Sequence, residues 1–238
     1  LDAGKKFFAR KYPNMKYLAY FQAYTSTYDT VDRLKAMYEE ALMVEDVVGL
    51  VIGTRPDCMP DALLNYLEEL NKHTFLIVEY GVESANNNTL ERVKRGHTFE
   101  CSRDTIERTH QRGIKTGAHV IIGLPGEDAK ESIRQASIMY SMPIDILKIH
   151  QMQIIRGTLL AKTYLEQPFH LYTVDEYLDV ICEYVKRLRK DLVLERFVSQ
   201  SPEGLLIAPK WGLKNYEFTN LLVSKMEKEK ITQGIMSL

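Results

Sequence analysis

The chain has few cysteines, and those present do not form a motif. Cys58, Cys101 and Cys182 are an odd number at wide spacing, which argues against a disulfide framework. No two of them are close enough in sequence to form a compact metal-binding motif. We interpret them as free thiols in a reducing cytoplasm, because an unpaired cysteine usually behaves as a small hydrophobic residue.

The chain also lacks a long apolar run and an excess of charge of one sign. The longest run without a charged residue covers residues 17–28, and a membrane span takes about 20 residues. No secretory signal is present. The net charge is −1, so no global field attracts nucleic acid or an anionic membrane. We expect a cytoplasmic protein without a membrane partner, and because the first residue is Leu1 we expect a longer gene product.

The common catalytic and nucleotide-binding fingerprints are missing as well. There is no serine elbow, zinc motif or dinucleotide-binding glycine motif. The glycine pair Gly123 and Gly126 is not a phosphate loop, because its spacing is wrong and no Lys-Ser or Lys-Thr pair follows. The residues alone therefore leave the reaction open.

What the sequence has is an alternation of short β-branched runs with amphipathic stretches of helical length. Strands are predicted at residues 17–23, 47–52, 74–79, 116–122 and 145–150, and a sixth at 192–198. Their near-continuous apolar character is typical of parallel strands that are covered on both faces. Strand–helix–strand alternation predicts a parallel α/β sheet, and six strands are too few for a closed eightfold barrel.

The helices between these strands carry recognisable start signals. We predict a first helix over residues 1–11 with Phe7 and Phe8 directed inward. Later helices are predicted to begin at capping residues, and Thr173 with Glu176 forms a capping box. The other predicted capping residues are Thr30, Asp61, Ser102 and Asp128, and Met37 is placed on the buried face of the helix after Thr30. We divide the chain into a core at 1–170 and a C-terminal extension at 171–238.

Polar residues that follow the strands are the candidate site, because parallel α/β folds bind ligands at the carboxyl ends of their strands. Gln22, Thr25 and Ser26 follow the first strand and can hold an amino or carboxylate group. The second strand runs into Thr54, Arg55 and Asp57, and the Arg can grip a carboxylate. The alternatives are an ordinary loop after the first strand and an Arg–Asp pair that only braces the second.

Acidic residues mark the end of the third strand. Glu79 and Glu83 suit ribose hydroxyls or a cation, or they serve as a general acid and base. Further along the chain, the basic run around Arg95 is by default a solvated helix face. His119, within the fourth strand, is interpreted as a core residue.

Three segments in this order resemble the radical S-adenosylmethionine (radical SAM) superfamily. They are Gly53-Thr-Arg-Pro-Asp57, Val78-Glu-Tyr-Gly-Val-Glu-Ser84 followed by Arg95-Gly-His97, and Ile121-Ile-Gly-Leu-Pro-Gly126. The chain is most similar to bacterial "Fe-S oxidoreductase" proteins. These are related to the radical SAM domain of the Elongator catalytic subunit and, more distantly, to oxygen-independent coproporphyrinogen oxidase.

The resemblance implies a partial (βα)6 TIM-like barrel that binds S-adenosylmethionine. It places Gln22, Thr25 and Ser26 near the methionine amino group, Glu79 and Ser84 near the ribose, and Arg95 near the carboxylate. It also assigns Thr54, Arg55 and Asp57 to the cofactor site. Ile121 and the segment formed by Ile155, Gly157, Thr158 and Leu159 would border the adenine.

The resemblance further implies a [4Fe–4S] cluster that cleaves S-adenosylmethionine reductively to a 5′-deoxyadenosyl radical, which abstracts hydrogen from a substrate. None of the three cysteines matches the family's cluster motif. We expect the first strand and the cluster loop upstream of Leu1, and we expect the chain as given to be inactive. An electron donor such as a flavodoxin or ferredoxin, and an RNA substrate, are further expectations from kinship.

Two rival functions remain open at this point. The first is a non-radical α/β-barrel lyase or hydrolase that uses Glu79 and Glu83 as acid and base. The second is an RNA-binding module that uses Arg92, Lys94 and Arg95. Turnover without metal would favour the first, and salt-sensitive RNA binding without S-adenosylmethionine would favour the second.

Overall fold

A six-stranded sheet with intervening helices forms the framework of the protein. The computed structural model describes residues 2–9, 12, 14–22, 25–202 and 204–236. The strands of the main sheet are β1 (Tyr17–Phe21), β2 (Val47–Thr54), β3 (Phe75–Glu83), β4 (Lys115–Ile122), β5 (Ile146–Gln151) and β7 (Val193–Arg196). They are parallel and lie in the order β1-β2-β3-β4-β5-β7. A separate antiparallel pair is formed by β6 (Ile154–Ile155) and β8 (Leu206–Ala208).

The helices occupy the connections that the alternation predicts. They are α1 (Asp2–Ala9), α2 (Val31–Leu42), α3 (Asp61–Asn71), α4 (Asn87–Arg92), α5 (Phe99–Gln111), α6 (Ala129–Ser141), α7 (Leu159–Glu166), α8 (Val174–Val185) and α9 (Asn215–Lys228). A short 3-10 helix covers Pro56–Cys58. Each predicted strand is present, and the sixth predicted strand is β7 of the main sheet. Residue 23, at the end of the first predicted strand, lies outside the described residues, as do residues 1, 10 and 11 of the first predicted helix.

The chain divides into two compact units. The first unit comprises Leu1–Gly81 and Cys101–Gly117. Its core is aliphatic, and Leu63, Leu64 and Leu67 of α3 are fully buried. Since burial of a leucine side chain contributes about 1.5–3 kcal/mol, this apolar stripe fixes α3 on its unit.

The second unit comprises Val82–Glu100 and Ala118–Leu238. Helix α8 begins with the predicted capping box: Glu176 N donates to Thr173 Oγ1 at 3.3 Å, and Thr173 N donates to Glu176 Oε2 at 2.8 Å. Its buried face carries Tyr177, whose ring centroid lies 5.1 Å from that of Trp211 and 5.3 Å from that of Phe218. This aromatic cluster anchors the C-terminal part of the chain.

Several local predictions about burial and capping are wrong. Phe7 is 74% exposed and Met37 is 43% exposed, so the apolar faces predicted for α1 and α2 are only partly covered. Ser102 lies inside α5 and is fully buried, because the helix begins three residues earlier, at Phe99. Phe8, also predicted to point inward, is 48% exposed.

Capping chemistry was predicted correctly at Asp128, whose side chain accepts a hydrogen bond from Glu131 N at 2.8 Å. Thr30 stands at the N-cap of α2, but its side chain makes no capping hydrogen bond. The N-cap of α3 is Pro60 rather than Asp61, which is the first helical residue. A proline cannot donate its backbone nitrogen, so it is well tolerated at a helix start.

Candidate functional site

Glu79 is a buried carboxylate in the middle of β3, paired in register with Gly53 near the end of β2. Only 2% of its surface is exposed, and Tyr20 Oη donates a hydrogen bond to Glu79 Oε2 at 2.8 Å. Gly117 makes room for it, because a Cβ atom at that position would lie 3.0 Å from Glu79 Cγ. A charged side chain with so little exposure is rarely found without a partner or a function.

The neighbour of Glu79 shows which face of the sheet the carboxylate occupies. Tyr80 is fully buried, and its Oη lies 2.7 Å from Oγ1 of Thr109 on α5. Burial raises the pKa of Tyr80, so this side chain stays neutral. Because successive side chains of a strand point to opposite faces, Glu79 lies on the face away from α5.

Three predicted cofactor residues line one cleft after β1. Gln22, Thr25 and Ser26 surround a volume of about 410 Å³, and Tyr20 also contributes to its wall. Gln22 is exposed, while Thr25 and Ser26 are half-buried. The loop is fixed by its backbone, because Ser26 N donates to Gly53 O at 3.4 Å and Ser26 O accepts from Tyr38 Oη at 2.8 Å. The structure therefore brings these residues together.

The residues after β2 brace their own loop. Arg55 forms a bidentate ion pair with Asp57: Arg55 Nε donates to Asp57 Oδ1 at 2.9 Å, and Arg55 Nη2 donates to Asp57 Oδ2 at 2.5 Å. This hydrogen bonding raises the pKa of the Arg55 guanidinium. The buried Thr54 hydroxyl bonds with that of Thr27, which in turn donates to Cys58 O at 2.6 Å. These contacts match the alternative interpretation of a braced loop.

In the second unit, Glu83 and Arg95 form an ion pair at the end of β3. Arg95 Nη2 lies 3.2 Å from Glu83 Oε1, and both side chains are largely buried. Burial raises the pKa of Glu83, and the charges of Arg95 and His119 oppose that rise. Glu83 also has φ +66°, which is uncommon for a residue other than glycine. Backbone strain of this kind clusters at functional sites.

Ser84 is fully buried and already has partners. Its hydroxyl donates to Glu127 Oε1, and it accepts from Asn86 N at 3.0 Å. Burial raises the pKa of Glu127, and hydrogen bonds from Ser84, Thr89 and Gln135 lower it. In this arrangement the Ser84 hydroxyl holds the start of α4 against the loop after β4.

The loop after β4 is held from a second side by an arginine. Arg92 Nη1 donates to Pro125 O at 3.0 Å. Gly126 has φ +92°, a backbone conformation that favours glycine, and Arg92 Nη1 occupies the space that a Cβ atom would take there. Ile121, the predicted adenine neighbour on β4, is half-buried.

The predicted adenine segment after β5 is bonded within its own unit. Ile155 pairs with Leu206 in the β6–β8 ladder, and Arg156 N donates to Leu205 O at 2.8 Å. Thr158 caps α7 by accepting from Ala161 N at 3.1 Å. Gly157 and Thr158 are exposed, and Leu159 is 60% exposed.

Residues that the sequence analysis did not select support these positions. Tyr20 contacts Glu79, and Glu127 contacts Ser84. Tyr20 could have been found from its place near the carboxyl end of the first strand, where side chains alternate between the two faces. Nothing in the sequence pattern indicates that Glu127 turns inward.

Comparison with known proteins identifies the family. The profile described as the radical SAM superfamily matches residues 8–134, and the profile of the radical SAM C-terminal domain matches residues 144–228. The chain belongs to the radical SAM superfamily. The prediction of an enzyme of this class is thereby confirmed.

Curated relatives match most of the length of this chain. YtqA of Bacillus subtilis is 32% identical over 94% of this chain and 70% of its own length. YhcC of Escherichia coli is 35% identical over 82% of this chain and 64% of its own. The tRNA uridine(34) acetyltransferase of Methanocaldococcus jannaschii is 29% identical over 77% of this chain but only 34% of its own. The chain therefore spans part of each relative.

Solved structures of the superfamily share the fold. The archaeal Methanocaldococcus infernus Elp3 with an N-terminus deletion superposes with a TM-score of 0.82 at 20% identity, over 97% of this chain and 58% of that chain. Coproporphyrinogen III oxidase (HemN) from Escherichia coli, a radical SAM enzyme, gives a TM-score of 0.55 at 17% identity, over 77% of this chain and 43% of that one. The predicted α/β partial-barrel fold is confirmed.

An iron–sulfur cluster does not fit the residues described. Cys58 and Cys101 are half-buried and Cys182 is buried, and within the described ranges no group of three or more Cys, His, Asp or Glu could hold a metal ion. Burial raises the pKa of Cys182 to about 11, which disfavours the thiolate that iron requires.

Among the helices that the structure describes, none combines the length and the hydropathy of a membrane span.

Proposed function

We propose that this chain binds S-adenosylmethionine at the carboxyl ends of its parallel strands, as part of a radical SAM enzyme. The observation that carries this proposal is the buried Glu79 carboxylate with its Tyr20 partner. A carboxylate and a phenol on the face away from the helix supply acceptors for ribose hydroxyls. Because the chain belongs to the radical SAM superfamily, we interpret these acceptors as contacts to the ribose of S-adenosylmethionine.

Each polar residue receives a role from its own chemistry. Gln22, Thr25 and Ser26 would accept hydrogen bonds from the methionine ammonium through their side-chain or backbone oxygens. Arg95 would bind the methionine carboxylate, and for this it must exchange or share its pairing with Glu83. A guanidinium has five N–H donors and can bind two carboxylates at once. If Arg95 binds Glu83 and the methionine carboxylate together, the Glu83 carboxylate keeps its cationic partner.

The remaining assignments stay proposals, and for Thr54, Arg55 and Asp57 the contacts favour the alternative of a braced loop over direct cofactor binding. Ser84, through its contact with Glu127, would order the strand end near the ribose. Thr54, Arg55 and Asp57 would keep the loop after β2 in shape through their mutual contacts. Ile121 and the segment of Ile155, Gly157, Thr158 and Leu159 would form the adenine border.

S-adenosylmethionine bound beside a reduced [4Fe–4S] cluster supplies the hydrogen-abstracting chemistry of this superfamily. Because no group of three or more Cys, His, Asp or Glu among the described residues could hold a metal ion, we propose that the cluster ligands belong to residues beyond those described. A flavodoxin or ferredoxin as the electron donor, a cytoplasmic location and the boundary near residue 170 also remain proposals.

The test is the affinity for S-adenosylmethionine, measured by isothermal titration under anaerobic conditions. We expect Glu79→Gln to weaken binding about tenfold, since a hydrogen bond to a charged group contributes about 1.5–3 kcal/mol. Glu91→Gln, an exposed change of the same kind on α4, should leave the affinity unchanged. Equal affinities for wild type and Glu79→Gln would reject the role of Glu79.

A second variant examines the carboxylate contact. Arg95→Lys keeps the positive charge beside Glu83 but removes the bidentate guanidinium. The affinity for S-adenosylmethionine should therefore fall several-fold, and the affinity for an S-adenosylmethionine analogue that lacks the carboxylate should not change. A loss of the same size for both ligands would show that Arg95 acts only on stability.

An RNA substrate is the second candidate. It is favoured by one specific finding, the similarity to a tRNA uridine(34) acetyltransferase. That protein is about three times longer than the matched segment, because the match covers 34% of it, so its substrate comes to this chain only as a proposal.

A further inference from the structure

A polar cleft in the second unit has no role in the cofactor site described above. It has a volume of about 480 Å³ and is lined by residues that follow β5 and β7 and by the segment between β8 and α9. Gln151, the last residue of β5, lies on its wall. The carboxyl ends of barrel strands are where substrates bind, so the cleft is a candidate substrate pocket that rests on the proposed function.

Two glutamines make one wall of the cleft rigid. Gln151 forms two hydrogen bonds with the backbone of Ser199. Gln151 Nε2 donates to Ser199 O at 3.1 Å, and Ser199 N donates to Gln151 Oε1 at 3.0 Å. Gln153 Nε2 donates to the same carbonyl at 3.0 Å, and Ser201 Oγ donates to Gln153 Oε1 at 2.8 Å. Gln151 is only 6% exposed, so its bonds to Ser199 are largely shielded from water and fix the backbone of the segment.

Trp211 also lines the cleft, and it too is held in place. Its Nε1 donates to Tyr172 O at 3.1 Å, and its ring stacks on Phe218 with centroids 6.3 Å apart and an interplanar angle of 14°. Because the indole is anchored on one side, the cleft exists before any ligand binds, which reduces the entropic cost of binding.

The charge of the lining is of one sign. Lys210 and Lys214 flank Trp211, and among the described lining residues there is no Asp or Glu. Both lysines are exposed, and within the described residues neither ammonium forms an ion pair, although Lys214 Nζ lies 6.0 Å from the centroid of the Tyr216 ring. In a chain with a net charge of −1, two lysines beside amide and hydroxyl groups form a local positive site.

We infer that this cleft binds the phosphate of a nucleotide unit in the substrate, with Lys210 and Lys214 as the phosphate contacts and Trp211 beside the base. Two ammonium groups can neutralise a phosphate, which carries one negative charge as a diester in an RNA strand and up to two as a monoester, and lysine binds phosphate as a point charge. An aromatic ring next to a cationic groove is the arrangement on which nucleobases stack. The nucleotide is either free or a unit of an RNA strand.

The only tryptophan of the chain lies in this cleft, so its fluorescence reports binding directly. The probes are uridine 5′-monophosphate, uridine, inorganic phosphate and a single-stranded oligouridylate, each titrated into the purified full-length protein. We expect the phosphate-bearing probes to change the Trp211 signal with an affinity that falls as salt is added. Uridine should bind at least fivefold more weakly than its monophosphate.

Variants of matched charge decide which residues are responsible. Lys210→Gln and Lys214→Gln should each weaken nucleotide binding about fivefold to tenfold, whereas Lys190→Gln, an exposed lysine outside the lining, should have no effect. Tighter binding of the oligouridylate than of the monophosphate would identify an RNA strand as the source, and equal binding a free nucleotide. Equal binding of uridine and its monophosphate, no binding by any probe, or an equal loss in Lys190→Gln would overturn the inference.

The two proposals fail separately. S-adenosylmethionine carries no phosphate, so its affinity should be the same in Lys210→Gln, Lys214→Gln and wild type. Phosphate-dependent binding in a protein that does not bind S-adenosylmethionine would reject the proposed function but leave the cleft assignment standing. Normal binding of S-adenosylmethionine in a protein that binds none of the nucleotide probes would reject the cleft assignment but leave the proposed function standing.

Discussion

At the scale of single residues, this protein buries several titratable groups. Glu79 is nearly inaccessible, and burial raises the pKa of Glu83 and of Glu127. His150 on β5 is affected in the opposite direction, since burial and the charges of Arg196 and His119 lower its pKa to about 4. Such groups connect the folding of the protein to pH.

His150 gives a pH prediction whose sign follows from that shift. A histidine with an ordinary pKa of 6.5 in the unfolded chain and about 4 in the folded chain binds its proton more readily when unfolded. The protein should therefore lose stability as the pH falls from about 6.5 to 4, and we expect His150 to account for about 2 kcal/mol of this loss.

Urea unfolding measured at pH 7 and pH 4.5 checks this expectation. The loss on acidification should be smaller in His150→Gln than in wild type, and His73→Gln, at an exposed position, should behave like wild type. If His150→Gln loses as much stability as wild type, the acid sensitivity comes from other groups.

At the scale of elements, the end of α6 depends on a distant arginine. Arg189 Nη1 donates to Met142 O at 2.6 Å, and Nη2 donates to Ile144 O at 2.6 Å. These carbonyls follow the last turn of the helix, where backbone acceptors lack partners within the helix. A single side chain thus joins the α6–β5 connection to the segment after α8.

Removing the two hydrogen bonds of the Arg189 guanidinium should destabilise the protein. We expect Arg189→Gln to lower the free energy of unfolding by about 2 kcal/mol, because two buried carbonyls lose charged donors. Arg189→Lys should recover only part of this, since an ammonium cannot reach both acceptors in the same geometry. Equilibrium urea unfolding gives the values, and the neighbouring Lys190→Gln should lie within about 0.5 kcal/mol of wild type.

At the scale of the whole molecule, the family chemistry and the described residues differ in one respect. The superfamily needs thiolates gathered around iron, and within the described residues no group of three or more Cys, His, Asp or Glu could hold a metal ion. We expect the 238-residue chain to remain colourless after anaerobic loading with iron and sulfide. Stable brown colour with one cluster per chain, lost on mutation of Cys58, Cys101 and Cys182, would contradict this expectation.

The sequence by itself determined the order of the elements and much of their local chemistry. Alternation of apolar runs located the six strands of the main sheet, and the capping signals at Asp128 and Thr173 appear as hydrogen bonds in the structure. These features depend on residues a few positions apart, so a linear pattern contains them. The motif order was also sufficient to recognise the family.

Only the tertiary structure decided which polar side chains are committed to partners. Ser84 and Glu127 are 43 positions apart, and Tyr20 and Glu79 are 59 apart, yet each pair shares a hydrogen bond. Burial is decided in the same way, since Phe7 has the character of a core residue but is 74% exposed. The physical reason is that hydrogen bonding and burial depend on which segments meet in space, and a one-dimensional pattern does not record that.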